Sequence, residues 1–165
     1  MIKVFYWAPF ISKIATPKAV INSAMSLKKY SNSEIQPTII NLFNEWDNFF
    51  KDFKSFGLLK LNIFSRSINL ILPDKGYLKS RISYVTIFFL CFLPLLRLLK
   101  KEKPEYLIIH LNTSLPLILL LLFKFETKFI LRICGKPRLN ILRKFLWRLV
   151  SKKIYYITSP TKLIK

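Results

Sequence analysis

The sequence predicts an α/β domain with a mostly parallel, Rossmann-like sheet and helices on both faces. Three observations lead there. Short β-branched and aromatic runs alternate with longer stretches of helical apolar spacing. Several of those runs are apolar throughout, as strands buried on both faces are. Finally, 165 residues that are 52% hydrophobic suit one domain with one core.

Ile2 to Tyr6 is the first strand, stopped by Ala8-Pro9. Thr16-Pro17 then supplies an N-cap hydroxyl followed by proline at the first helical position. Val20, Ile21, Ala24 and Leu27 recur at helical spacing up to Lys28-Lys29, two cations suited to the negative end of the helix dipole. Gln36 to Phe43 is a second strand, and Leu58 to Phe64 a weaker third one after Gly57. Asn44 to Phe56, between them, fits neither period. Ser80 to Lys103 is the longest apolar segment and predicts a helix kinked by Pro94 and closed by Arg97, Lys100, Lys101 and Lys103. Glu105 to Leu111 is a fourth strand, Leu115 to Phe125 an apolar helix, and Lys128 to Ile133 a fifth strand stopped at Gly135. Asn140 to Lys153 carries Ile141, Leu142, Phe145, Leu146, Leu149 and Val150 on one half of a helical wheel, and Ile154 to Ile157 is a sixth strand.

The apolar segments are short for membrane crossing. Val85 to Leu96 is twelve residues without a charge, whereas a span needs about 20. Extending it from Ile82 to Leu99 includes Arg97, at a cost of about 2–3 kcal/mol at the bilayer centre. A helix in the core of a doubly covered sheet accounts for the same residues.

Composition narrows the chemistry. His110 is the single histidine, and Cys91 and Cys134 match neither zinc spacing nor a redox pair, so no metal site and no disulfide scaffold are expected. Neither a dinucleotide-binding glycine fingerprint nor a P-loop is present, and no cofactor is expected. Glu45 and Asp47 form the one close carboxylate pair, which reads as a solvated loop. The amino terminus has no small-residue cleavage site, so a cytoplasmic chain is expected.

Ligands of open parallel sheets bind beyond the carboxyl ends of the strands, where the strand order reverses. Four places qualify: Pro9 to Thr16 after the first strand, His110 with Asn112 and Thr113 after the fourth, Arg132 with Gly135 after the fifth, and Ser159 with Thr161 and Lys162 after the sixth. His110 suits a functional imidazole or one bonded to nearby backbone. Arg132 suits a phosphate, a sugar hydroxyl or an ion pair.

Charge is the stronger clue. There are 28 Lys+Arg against 8 Asp+Glu, and beyond Glu126 no acid occurs at all. An anionic partner follows. Arg143, Lys144 and Arg148, with Trp147 among them, lie opposite the apolar half of their helix and suit the head-group layer of an acidic membrane. No nucleic-acid module is visible, so nucleic acid is not expected as a partner.

The succession IKVFYWAPF, AVINSAMSLKKYS, PTIINLFNEW, KPEYLIIHLNTSLPL, KFILRICGKPRLN and KKIYYITSPTK resembles the amino-terminal domain of family 4 nucleotide-sugar-dependent glycosyltransferases, which are built of two Rossmann-like domains. The resemblance covers essentially the whole chain. It implies that residues 1–165 are the acceptor half of a hexosyltransferase of lipopolysaccharide, O-antigen or capsule synthesis, peripheral at the inner face of the cell membrane. The nucleotide-sugar donor would be held by a second domain that is absent here or separately encoded. The acceptor, lipid-linked or a glycan, would meet Pro9, Ser12, Thr16, Asn112, Arg132 and Gly135, with His110 as the catalytic residue near the transferred sugar. Arg143, Lys144, Trp147 and Arg148 would touch the membrane. Without the donor domain the chain alone is expected to be inactive. The rival reading is a non-catalytic basic protein on or in the membrane.

Overall fold

A computed structural model describes residues 1–10, 16–49, 54–64, 77–133 and 140–159. Six strands form one parallel sheet: β1 (Ile2–Trp7), β2 (Ile35–Asn41), β3 (Leu59–Asn62), β4 (Tyr106–Ile109), β5 (Lys128–Arg132) and β6 (Tyr156–Thr158). Among the described residues the connections include α1 (Thr16–Tyr30), α2 (Tyr77–Glu102), α3 (Ser114–Leu122) and α4 (Ile141–Val150). All six expected strands are present, and the fold is the expected Rossmann-like α/β half with helices on both faces.

The two central strands explain why apolar runs replaced alternation. Along β1, Phe5 and Trp7 join a core with α2 and α3, whereas Val4, Tyr6 and Ala8 join a second core with α1. Both faces are dry, so both sets of side chains must be apolar or paired. On α1, Pro17, Val20, Ile21 and Ala24 are buried and Leu27 is half-buried, so the predicted stripe faces the sheet and thins towards its end. α2 runs continuously through Pro94 and buries Ile87, Cys91, Leu95 and Leu99 against the sheet. Its Ile82–Glu102 portion is long and apolar enough to cross a membrane by length and composition. In this fold its inward face is part of the sheet core instead.

The strand order is β3-β2-β1-β4-β5-β6. The chain steps outward from β1 to β3, returns to place β4 beside β1, and then steps outward in the opposite direction. The reversal falls between β1 and β4, whose carboxyl ends Trp7 and Ile109 are register partners. Helices diverge on either side of that point and leave a crevice.

Candidate functional site

The backbone turn after β4 builds the crevice. The His110 amide donates to the Trp7 carbonyl at 2.9 Å, continuing the β1–β4 ladder by one residue. Two residues later Asn112 turns the chain in the left-handed region, φ 46°, a conformation asparagine tolerates better than most side chains. The Trp7 indole nitrogen donates to the Asn112 carbonyl at 3.2 Å and pins that turn. α3 then starts at once. Its N-cap Thr113 makes no side-chain capping bond, so the Thr113 hydroxyl does not satisfy the first-turn amides of the helix.

A cavity of about 690 Å³ opens there. Its polar wall is His110, Asn112, Thr113, Ser114, Arg132, Asn140 and Arg143, and its apolar wall is Tyr84, Val85, Phe88 and Phe89 of α2 with Trp147 of α4. No carboxylate is among these lining residues. Asn140 caps α4 by accepting the Arg143 amide at 2.8 Å, which places Arg143 in the first turn and Trp147 one turn further on the same side.

Three side chains in this wall, buried His110 and half-buried Asn112 and Trp147, carry buried polar atoms with no hydrogen-bond partner among the described residues: both ring nitrogens of His110, the amide nitrogen of Asn112 and the indole nitrogen of Trp147. Burial without a partner costs about 1–3 kcal/mol per group, so these atoms have bonding capacity that an ordered water or a polar ligand would take up. Burial, reinforced by the nearby Arg132 charge, lowers the His110 pKa from 6.5 to about 4. At neutral pH the imidazole is therefore uncharged, one nitrogen donating and the other accepting.

Behind His110 lies a small polar network. Its ring sits 5.9 Å from that of Tyr6, whose hydroxyl lies 3.1 Å from Ser23 Oγ; Arg132 Nη1 reaches the same oxygen at 3.5 Å. Burial pushes the Tyr6 phenol up to about 12, with Ser23 and Arg132 pulling the other way, so it stays protonated. Arg132 also borders a second groove of about 680 Å³ along α1, with Asn22, Ser23, Ser26 and Tyr30.

The expected site residues distribute unevenly. His110, Asn112 and Arg132 share the cavity. Pro9 is buried and Thr16 half-buried at the start of α1, and neither is part of the cavity lining. Ser12 and Gly135 lie outside the described residues, as do Cys134, Thr161 and Lys162. Of the four residues expected at a membrane, Arg143 and Trp147 line the cavity, while Lys144 and Arg148 are exposed. The solvated-loop reading of Glu45 is corrected: its carboxylate is buried and accepts the amides of Leu42 at 3.1 and 3.0 Å and of Phe43 at 2.7 Å, closing the turn after β2. Asp47 is instead paired with Lys60 at 2.6 Å. Sequence reasoning missed Tyr6 and Ser23 behind the histidine and the Asn140–Arg143 cap. Only the cap had a visible signal, an asparagine three residues before an arginine at a helix start.

No family model matches the sequence, and no curated protein matches it. Solved structures of similar fold do exist. A protein of Listeria monocytogenes assigned as a UDP-N-acetylglucosamine 2-epimerase superposes with a TM-score of 0.59 at 14% identity, over 99% of this chain and 40% of that one. The UDP-GlcNAc 2-epimerase of Neisseria meningitidis, solved with UDP-GlcNAc bound, gives 0.52 at 13% identity, over 99% of this chain and 41% of that one. This chain thus spans about two fifths of the length of the structures it matches. The likeness establishes the fold. It also corrects the resemblance drawn from the sequence: the two solved proteins that superpose on this chain are described as UDP-GlcNAc 2-epimerases, not as family 4 glycosyltransferases. The assignment as the acceptor half of a hexosyltransferase in surface-polysaccharide synthesis is therefore withdrawn. Strand-end motifs such as EYLIIHLN follow from the shared architecture and do not separate enzyme classes built on it.

Proposed function

We propose that this domain binds a sugar nucleotide of the UDP-N-acetylhexosamine kind in the crevice between β1 and β4, as part of an enzyme that inverts the sugar at C2. The observation that carries this reading is the convergence on one cavity of two guanidinium groups and three side chains whose buried polar atoms lack partners among the described residues. A diphosphate fits Arg132, Arg143 and the first-turn amides at the start of α3, because helix N-termini and guanidinium forks both favour phosphate oxygens. Sugar hydroxyls and an acetamido group fit His110, Asn112 and Trp147, which would then gain the partners they lack. Inversion at C2 balances when a base takes the C2 proton while the electron pair left behind expels the diphosphate from C1, and both steps reverse with the proton returned on the opposite face. An anionic ligand beside Arg132 offsets one of the two causes that lower the His110 pKa and so makes the ring a better base for that proton. The fold likeness to 2-epimerases supports the reading, and since it spans about two fifths of their length, binding is what is proposed for this chain by itself.

Calorimetric titration of the purified chain tests this. UDP-GlcNAc and UDP are expected to bind and free GlcNAc not to. Absence of binding by both uridine ligands to a folded sample overturns the proposal. In a longer protein containing the domain, exchange of the C2 hydrogen of UDP-GlcNAc with solvent deuterium is expected, and its persistence in His110→Asn removes the role given to the imidazole.

A further inference from the structure

Beyond the ligand cavity, we infer that the outer faces of α2 and α4 form a docking surface for an anionic lipid bilayer. Helices that face water normally show polar residues there. On α2, however, Ile82, Val85, Phe89 and Leu93 follow one another at steps of three and four residues and are all exposed, Phe89 by 72%. On α4, Ile141 and Leu142 are 87% and 78% exposed, and Phe145 and Leu149 continue the same ridge. Two such ridges exceed the scattered apolar exposure of an ordinary protein surface.

Charge identifies the occupant. Each ridge is bordered by exposed cations: Lys144 and Arg148 beside the α4 ridge, and Arg97, Lys100 and Lys101 where the α2 ridge ends. The chain carries 28 basic residues against 8 acidic ones, with no acid after Glu126. An apolar strip edged by lysine and arginine suits the boundary between acidic head groups and acyl chains. The helices lie on the bilayer and do not cross it, because Ile87, Cys91, Leu95 and Leu99 on the inner face of α2 are committed to the sheet core.

The surface adjoins the cavity. Val85 and Phe89 belong to both the α2 ridge and the cavity wall, and Asn140 and Arg143 of α4 belong to that wall as well. Docking through the α2 ridge would bring that edge of the cavity next to the bilayer. The expected membrane contact through Trp147 gives way to the opposite side of the same helix.

Co-sedimentation of the purified chain with lipid vesicles tests the surface. The chain is expected to bind vesicles containing phosphatidylglycerol at low salt, to be released by high salt, and to ignore vesicles of phosphatidylcholine alone. Removing two cations in Lys144→Ala/Arg148→Ala is expected to weaken binding about thirtyfold. Phe89→Ser/Phe145→Ser is expected to weaken it about tenfold or more with an unchanged Tm, since both rings are exposed. Equal binding to both vesicle types, no binding to the anionic ones, wild-type binding by either double variant, or burial of the ridges in a dimer of the chain overturns the inference. Arg132→Ala is expected to weaken sugar-nucleotide binding and to keep vesicle binding, so failure of the surface and failure of the ligand site are separately visible.

Discussion

The imidazole of His110 packs against the ring of Tyr6 with 5.9 Å between centroids, and neither of its nitrogens has a hydrogen-bond partner among the described residues. Tyr6 is itself tied through Ser23 to Arg132, so the ring is held between a neutral phenol and a guanidinium. Because this histidine is the only one in the sequence, its ring protons give a single titration curve by NMR. The midpoint is expected near 4 in the free protein, set by burial first and by Arg132 second. Adding UDP brings negative charge beside Arg132 and is expected to move the midpoint upward, as is Arg132→Ala without ligand. A midpoint at the ordinary imidazole value in the free protein would mean that the ring is solvated.

The same shift predicts a pH dependence of stability. Between about pH 6.5 and 4 the unfolded chain holds the imidazole proton and the folded chain does not, so His110 contributes fully above 6.5 and its contribution is lost as pH falls towards 4, by about 3 kcal/mol. Glu45 acts in the opposite sense. Burial raises its pKa from 4.5 to about 7 against the pull of the Phe43 and Leu42 amides. The folded state then holds the extra proton, and stability is lost as pH rises from 4.5 through 7. The two slopes oppose each other between about pH 4.5 and 6.5. Urea unfolding across that window is expected to show Glu45→Gln losing stability toward acid and His110→Asn losing it toward neutral pH, with the parent chain flatter than either.

Arg132 is the cation with the most to offer a ligand. Among the described residues its side-chain hydrogen bond is a long one, 3.5 Å to Ser23, and it borders both the main cavity and the groove along α1. Loss of a charged hydrogen bond costs about 1.5–3 kcal/mol, so Arg132→Ala is expected to weaken UDP-GlcNAc binding by about 10- to 100-fold in calorimetry while shifting the Tm little. Arg132→Lys is expected to recover only part of this, because an ammonium cannot make the paired contacts of a guanidinium. A variant that binds as tightly as the parent would remove Arg132 from the site.

Much of the fold was readable because strand boundaries coincide with local chemistry. Pro9, Gly57, Pro104 and Gly135 bound the apolar runs, and the Thr16-Pro17 pair marks the entry of α1. His110 was readable for the same reason, since the end of the fourth run is a strand tip under any parallel arrangement. The orientation of α4 was not. A helical wheel separates Ile141, Leu142 and Phe145 from Arg143 and Trp147 but does not say which side meets the protein. Here the cavity takes Arg143 and Trp147, and solvent takes the apolar ridge. Tyr6 and Ser23 were invisible as a pair because 17 positions separate them in sequence and only the packing of α1 on β1 brings them together.

Cys91 gives the clearest test of the core between α2 and the sheet. It is fully buried among Ile87, Leu95 and Leu99, and burial pushes its thiol up to about 12, with the Glu45 charge a secondary cause. A thiol so placed is almost never ionised near neutrality and has no path to a reagent. Labelling of the native chain by a thiol reagent, followed by peptide mass spectrometry to separate it from Cys134, is expected to leave Cys91 unmodified until the domain unfolds. Substitution distinguishes packing from polarity. Cys91→Ala removes one heavy atom from a tight core and is expected to cost about 1 kcal/mol, whereas Cys91→Ser also buries a hydroxyl among apolar neighbours and is expected to cost about 2–3 kcal/mol. Urea denaturation ranks the two. Serine as stable as alanine would mean that a polar partner reaches the position, and that the seam between α2 and the sheet is not dry.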